Sequence, residues 1–388
     1  MGLTSVDAGA LLRQLDDYDT IIDARSEGEY ALDHLPGAVN WPTLDDAQRH
    51  AVGTLYKQVN PFEARKLGAA MAARNIADHI QYKAMDKPRS WRPIVYCWRG
   101  GQRSGALSLV LDQVGFRVHV VQGGYRAFRA ELVADTVRLA GQFRYQVVCG
   151  TTGSGKTRLL QSLARAGAQV LDLEALANHR SSVLGAIPGL AQPSQKAFDT
   201  RVWDVLRRMD PARPVFVESE SRKVGNVAVP VALMDAMREH GHCLNLVLGD
   251  SERVALLMED YDFFVRDTEA FCARLDALTE IRGKVVVQAW KSAVRDGRLP
   301  AVVHDLLTSH YDPVYLQSMQ RNFRKFGGAR TLTPADRSAR AMDAVAATLD
   351  VERLLTMTPS EPERQVSGCQ GDVGAPGVRS PGAGVGST

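Results

Sequence analysis

The stretch Tyr145 to Arg165, "YQVVCGTTGSGKTRLLQSLAR", changes its hydrophobic period in the middle. "YQVVC" is a short apolar run of strand type, whereas "KTRLLQSLAR" puts Leu159, Leu160 and Leu163 on one side of a helix. Between them "GTTGSGKT", Gly150 to Thr157, satisfies G-x-x-x-x-G-K-[ST] at every position. A loop of this composition between a strand and a helix wraps phosphate oxygens with its backbone N–H groups. Gly150, Gly153, Ser154 and Gly155 therefore form the predicted diphosphate cradle, Lys156 reaches the terminal oxygens, and Thr157 offers its hydroxyl to Mg2+. The loop specifies diphosphate binding better than nucleotide hydrolysis, because no arginine finger is identifiable in the chain.

On the C-terminal side, "AQVLDL", "PVFVES" and "CLNLVLG" read as further strands, each followed by a helical pattern. They predict a P-loop NTPase-like α/β domain over 144–355, with a helical part from about Ser251 to Ala347. Asp172 and Glu174 follow the first of these strands, and Glu218 and Glu220 the second, where P-loop proteins place carboxylates that support a metal. "ANHRSS" then sets Asn178, His179, Arg180 and Ser181 on a loop near the phosphate site. Beyond it all, residues 356–388 are rich in Gly, Pro and Ser with almost no large apolar side chains, which predicts a disordered tail.

On the N-terminal side a second, smaller α/β unit is predicted over 1–135, with 136–143 as the connection. Leu11, Leu12 and Leu15 form a helical stripe behind a Thr4/Ser5/Asp7 capping region, and "DTIIDA", "RPIVYC" and "RVHVVQGG" read as parallel strands. The second of these runs into "IVYCWRGGQRSG", Ile94 to Gly105. A thiol becomes a nucleophile where a helix N-terminus, backbone N–H groups or cations stabilise its thiolate. Cys97 has all three supports in prospect: Gly100, Gly101 and Gly105 let the backbone curl, a helix starts near Ser104, and Arg99 and Arg103 add charge. The same cradle would hold an oxyanion. Five residues separate Cys97 from Arg103, a spacing shared with cysteine phosphatases, so phosphatase chemistry beside a P-loop kinase is a competing reading. A non-catalytic sulfur-carrier or RNA-binding module is a third.

The upstream piece "DARSEGEYALDHLPGAVNWP" carries Asp23, Arg25, Glu29, Tyr30, His34 to Ala38 and Asn40. Together with the cysteine loop it resembles a rhodanese domain, in which the cysteine carries sulfur or selenium. A rhodanese-like domain followed by a P-loop in one chain resembles the bacterial tRNA 2-selenouridine synthases. The stretches "CWRGGQRSG", "DLEALANHRSSVLG", "QPSQKAFD", "VFVESESRKVG" and "HYDPVY" extend that resemblance over nearly everything before the tail. It implies a transferase that replaces the sulfur of wobble 2-thiouridine in tRNA by selenium from selenophosphate, and that also attaches a geranyl group from geranyl diphosphate. On that reading Cys97, with Arg99 and Arg103, serves selenium delivery, and the P-loop holds geranyl diphosphate. Selenophosphate and geranyl diphosphate are then co-substrates, Mg2+ accompanies the diphosphate, no tightly bound cofactor is expected, and a selenophosphate-producing enzyme is a partner.

Bulk composition agrees with such a protein. A chain of 388 residues suits two folded domains, and 45% hydrophobic with 23% charged residues is ordinary for a globular one. No apolar run nears the roughly 18–20 residues that span a bilayer. The opening "MGLTSVDAGALLRQL" fits neither a secretion signal nor, with Val6, a myristoylation site, so a cytoplasmic location without membrane association is expected. Five widely spaced cysteines without a C-x-x-C pair argue against a disulfide framework and a cysteine zinc site. A formal charge of +3 permits a polyanionic partner without demanding one.

For RNA contact the candidate is "MQRNFRKFGGAR", where Arg321, Arg324, Lys325 and Arg330 interleave with Phe323 and Phe326, followed by Arg337 and Arg340. A basic amphipathic helix with both phenylalanines in the core fits the pattern equally. His304, Asp305, His310 and Asp312 match no standard metal spacing and read as a solvated helix end. Trp98 either stacks on a ligand or packs beside the cysteine loop.

Overall fold

The computed structural model describes residues 2–180 and 185–349; Ser181, the predicted tail and Cys369 lie outside them. The first sheet has five strands, β1 (Thr4–Val6), β2 (Thr20–Asp23), β3 (Ala38–Asn40), β4 (Pro93–Tyr96) and β5 (His119–Val121), in the order β1-β5-β4-β2-β3. All neighbours are parallel, with Asp23 opposite Tyr96 in the β2/β4 register. Buried on both faces, the middle strands read as near-continuous apolar runs, which is why "TIID" and "PIVY" are legible as strands.

The second lobe contains β6 (Tyr145–Cys149), β7 (Gln169–Leu171), β8 (Val215–Glu218), the hairpin β9 (Lys223–Val224) and β10 (Val227–Ala228), β11 (His242–Leu246) and β12 (Arg330–Leu332). Its five-stranded parallel sheet runs β12-β11-β6-β8-β7, so the strand that feeds the P-loop is central. The α/β class with a helical C-terminal part is as predicted, and helices fill most of 250–322.

Three local expectations change. Thr4–Val6 is a strand paired with β5, and Asp7 alone caps the following helix, Ala8–Arg13, by accepting from Ala10 N at 2.9 Å. Leu15 sits in a separate short turn of 3-10 helix. After Asn322 the α-helix ends: a short 3-10 turn, Phe326–Gly328, leads into β12, an edge strand whose conformation is imposed by pairing with β11.

Residues 136–143, the expected connection, are the end of the long helix Gly124–Ala140 and the turn into β6. That helix joins the lobes. Phe128, Leu132 and Leu139 on it belong to a single buried cluster with Leu11 and Ile94 of the first lobe and Val147, Phe198 and Trp203 of the second. Arg129 pairs with Asp199, Trp203 Nε1 donates to Asp135 at 2.9 Å, and Arg207 pairs with Asp16 at 2.7 Å. A shared apolar core with polar clamps at its rim holds both sheets in one compact unit, since burial contributes about 25 cal/mol per Å² of apolar surface.

Candidate functional site

Cys97 stands one residue past β4 and is 3% exposed. The chain then bends and enters the helix Gln102–Val114, whose Ser104 hydroxyl donates to the Cys97 sulfur at 3.1 Å. Burial pushes the thiol up, but the Ser104 hydroxyl, the N–H groups of Ser104 and Gly101 and the Arg103 charge outweigh it, leaving Cys97 more acidic than an ordinary thiol. Ser104→Ala should therefore slow iodoacetamide labelling of Cys97 at pH 7 roughly three- to tenfold. Labelling of Ser104→Ala at the wild-type rate throughout pH 6 to 9 would show that the hydroxyl does not support the thiolate.

The glycine logic differs from the sequence expectation. Gly100 has φ 67°, and a Cβ there would lie 2.7 Å from the Val121 carbonyl; Gly101 and Gly105 have open space and negative or helical φ. The missed position is Gly124, φ 60°, where a Cβ would lie 2.2 Å from the Cys97 carbonyl. "VVQGGYR" is thus a second loop clasping the first, with Tyr125 N donating to Cys97 O at 2.8 Å and Arg126 N to Trp98 O at 3.1 Å.

Around the loop, Arg99 is exposed, whereas Arg103 forks onto Glu29 at 2.5 and 3.3 Å. Glu29 also closes the capping box of the helix Glu27–Leu32, so Arg103 ties the cysteine loop to that helix rather than standing free. Beneath lies a buried network. Arg25 pairs with Asp23 at 2.6 Å and packs its guanidinium 4.0 Å from the Tyr125 ring centre. Tyr125 donates to Asp33 at 2.6 Å, and Asp33 accepts from Thr200 of the second lobe at 3.1 Å. Trp98 stacks on Tyr125 at 5.4 Å with the Lys196 ammonium 5.6 Å from its ring. "QPSQKAFD" therefore supplies Thr200's neighbours and Lys196 to the cysteine loop, a role invisible in sequence.

At the P-loop, β6 ends at Cys149 and the helix Lys156–Arg165 begins inside the motif. Lys156 Nζ donates to Gly150 O at 2.7 Å, and Ser154 Oγ is buried with no partner among the described residues. Two residues that sequence reasoning left out brace the loop. Arg253, 4% exposed, donates to Thr152 O at 2.8 and 3.1 Å and to Asp312 at 2.6 and 3.0 Å. Tyr315 accepts from Gly150 N at 2.7 Å and meets Ser219 Oγ at 2.9 Å. Asp312 and Tyr315 are the D and final Y of "HYDPVY", so that motif props the phosphate cradle.

The four expected carboxylates lie within electrostatic reach of one another, though among the described residues no three of them are set to hold a metal ion. Thr157 Oγ1 donates to Glu174 at 3.3 Å, and Glu174 N donates to Glu218 at 2.8 Å. Asp172 caps the helix Leu173–Ala177 by accepting from Ala175 N at 2.8 Å. Burial, then the charges of Asp172, Glu220 and Glu174, hold the Glu218 carboxyl well above the usual range, and burial with Glu174 raises Asp172. His179 is buried, and desolvation pulls its imidazole below the usual histidine range; Arg180 donates to Asp260 O and lies 4.7 Å from the Tyr261 ring.

The basic segment splits in two. Phe323 is 4% exposed and so offers no stacking face, whereas Phe326 is half-buried with one side packed against the core. Arg324 pairs with Glu239 at 2.8 Å, Lys325 donates to His240 O at 3.0 Å, and Arg337 pairs with Glu252 and Glu259; Arg321 is exposed. The His304 to Asp312 set disperses: Asp305 accepts from Trp290 at 2.6 Å, His310 from Arg282 at 3.1 Å, and Asp312 from Arg253. Among the described residues, no helix is long and apolar enough to cross a membrane.

Comparison with known proteins fits both halves. Residues 7–131 match the rhodanese-like domain family, and residues 143–279 match the tRNA 2-selenouridine synthase AAA domain. The chain is 32% identical to a tRNA 2-selenouridine synthase of Cupriavidus necator, over 82% of this chain and 92% of that protein. It is 30% identical to one from Sulfurovum sp. over 78% and 89%, and 36% identical to one from Nitrosomonas europaea over 62% and 63%. With both domains matched in order and most of each chain aligned, the protein belongs to the tRNA 2-selenouridine synthase family.

Proposed function

We propose that the chain is a tRNA-modifying transferase, acting in the cytoplasm, that exchanges the sulfur of wobble 2-thiouridine for selenium from selenophosphate by way of an S-geranyl intermediate. The observation that carries this reading is the coexistence, around one core, of an acidified cysteine in an anion-type loop and a complete diphosphate loop. In the first step the thiocarbonyl sulfur attacks C1 of geranyl diphosphate; the S–C bond forms, the C–O bond breaks, and diphosphate leaves on the P-loop. Lys156, freed from Gly150 O, and the loop N–H groups stabilise the departing charge. In the second step the selenium of selenophosphate attacks C2 and the C2–S bond breaks; water then attacks phosphorus, the Se–P bond breaks, phosphate leaves, and the electron pair kept by selenium gives the 2-seleno group. An alkylated sulfur leaves as a thiolate, which is a better leaving group than sulfide. The Cys97 loop holds the selenium donor, with Arg99 and the loop N–H groups facing its phosphoryl oxygens.

Mg2+ suits the P-loop donors. The Thr157 hydroxyl and the carboxylate of Glu174 are hard oxygen ligands, and Mg2+ takes one or two carboxylates plus phosphate oxygens rather than a protein cage. Bound there, it would neutralise diphosphate charge. A phosphatase would need the Arg103 fork on phosphoryl oxygens, and Glu29 already occupies that fork. Exposed Arg321, Arg330 and Arg340 are the candidates of this basic stretch for RNA phosphates, with Arg324 and Lys325 released only by breaking their own contacts.

The test is nucleoside mass spectrometry on a 2-thiouridine anticodon stem-loop incubated with the full chain and Mg2+. Geranyl diphosphate alone should give the S-geranyl nucleoside, and adding selenophosphate should give 2-selenouridine. Unchanged 2-thiouridine from a folded preparation with an intact thiol would reject the reading.

A further inference from the structure

Against the outer turn of the P-loop lies a cavity of about 60 Å³. Thr152, the third residue of the motif, forms one edge, Leu257, Met258, Phe264, Val303 and Leu306 are among its apolar walls, and Tyr261 and Tyr311 line it as well. The helix Asp250–Asp260 belongs to both features. Its Arg253 donates to the Thr152 carbonyl, and its Leu257 packs on the loop at Gly153, where a Cβ would come within 3.1 Å of Leu257 Cδ1. Leu257 and Met258, one turn further on, then face the cavity. Phosphate cradle and apolar cavity are therefore neighbours across a single helix.

With mostly apolar walls, this space favours a hydrocarbon group reaching from the loop. A nucleotide's ribose and base carry several hydroxyl and amino groups that would lose water and find few partners among Thr152, Tyr261 and Tyr311. A branched hydrocarbon loses nothing there. One water-sized group needs roughly 10–15 Å³ of such volume, so the cavity holds about four to six heavy atoms, the size of one isoprene unit.

We infer that this cavity takes an isoprene unit of the diphosphate ester held on Gly150–Thr157, and so makes the P-loop selective for isoprenoid diphosphates over nucleotides. The inference rests on the reading of that loop as the geranyl diphosphate site. It adds the place where the hydrocarbon is recognised and the residues that recognise it.

Calorimetric titration of the full chain with Mg2+ tests it, using geranyl diphosphate, inorganic diphosphate and ATP. Geranyl diphosphate should bind the wild type roughly ten- to a hundredfold more tightly than inorganic diphosphate. Val303→Phe, which fills the cavity from a helix that does not carry the loop, should remove about tenfold of that advantage while inorganic diphosphate stays within about twofold. Equal affinity of the wild type for geranyl and inorganic diphosphate would overturn the inference while leaving the loop a diphosphate site; that comparison needs no variant. Unaltered geranyl diphosphate binding by a folded Val303→Phe chain would overturn it too. Binding of ATP in preference to both diphosphates would overturn the underlying reading as well.

Discussion

Lys156→Ala will abolish S-geranylation, with a loss on the order of 10²–10³-fold in rate, and will leave the protein folded. Lys156 donates to Gly150 O and Thr151 O, at 2.7 and 3.4 Å, so its ammonium is parked on the loop's own carbonyls. A diphosphate offers stronger, charged acceptors in the same place, and the lysine can swing to them without reorganising the fold. Charge builds on the leaving diphosphate as the C–O bond breaks, so the cation contributes most in the transition state. The loop's shape does not depend on Lys156: Arg253 holds Thr152 O, Tyr315 holds Gly150 N, and the helix after the loop packs through Leu159, Leu160 and Leu163. Thermal unfolding should therefore move little, and geranylated nucleoside should fall below detection. Wild-type geranylation rates in the variant would remove the P-loop from the chemistry.

Cys97→Ala will block selenation while sparing geranylation, so S-geranyl-2-thiouridine accumulates. The expected loss of 2-selenouridine is on the order of 10³-fold or more, because the only group with thiolate character in this loop is gone. The change removes one sulfur from a site where Ser104 is its hydrogen-bond partner, and the Cys97 carbonyl keeps its bond from Tyr125 N. Folding and the second lobe are unaffected. Equal loss of both products would mean that Cys97 acts structurally, through the helix Gly124–Ala140 that both lobes share.

What could be read from sequence was what lies within one loop. Cys97, Lys156 and Thr157 are legible because strand, loop and helix follow one another without interruption, and the chemistry sits inside the turn. The acidic group was legible for a similar reason: Asp172 and Glu218 each end a strand, and parallel strands bring their carboxyl ends to one edge. The supports were not legible. Glu29 reaches Arg103 across 74 positions, Arg253 reaches Asp312 across 59, and Tyr315 reaches the P-loop across 165. Nothing local marks such pairs, because tertiary placement alone makes them neighbours. The short strands β1, β3 and β12 were missed because three residues at or near a sheet edge carry no period, and only their partners make them strands. Phe323 and Phe326 interleave with cations as a stacking surface would, yet the turn of the chain after Asn322 directs Phe323 into the core and leaves Phe326 half-buried against it.

The division of labour between the two loops can be measured in one reaction: Lys156→Ala protein, selenophosphate, and a stem-loop that already carries S-geranyl-2-thiouridine. With geranylation supplied in advance, the variant should form 2-selenouridine at close to the wild-type rate, read by nucleoside mass spectrometry. Failure to do so, in protein that binds the stem-loop normally, would contradict separate sites for the two steps and make the P-loop part of selenium transfer itself.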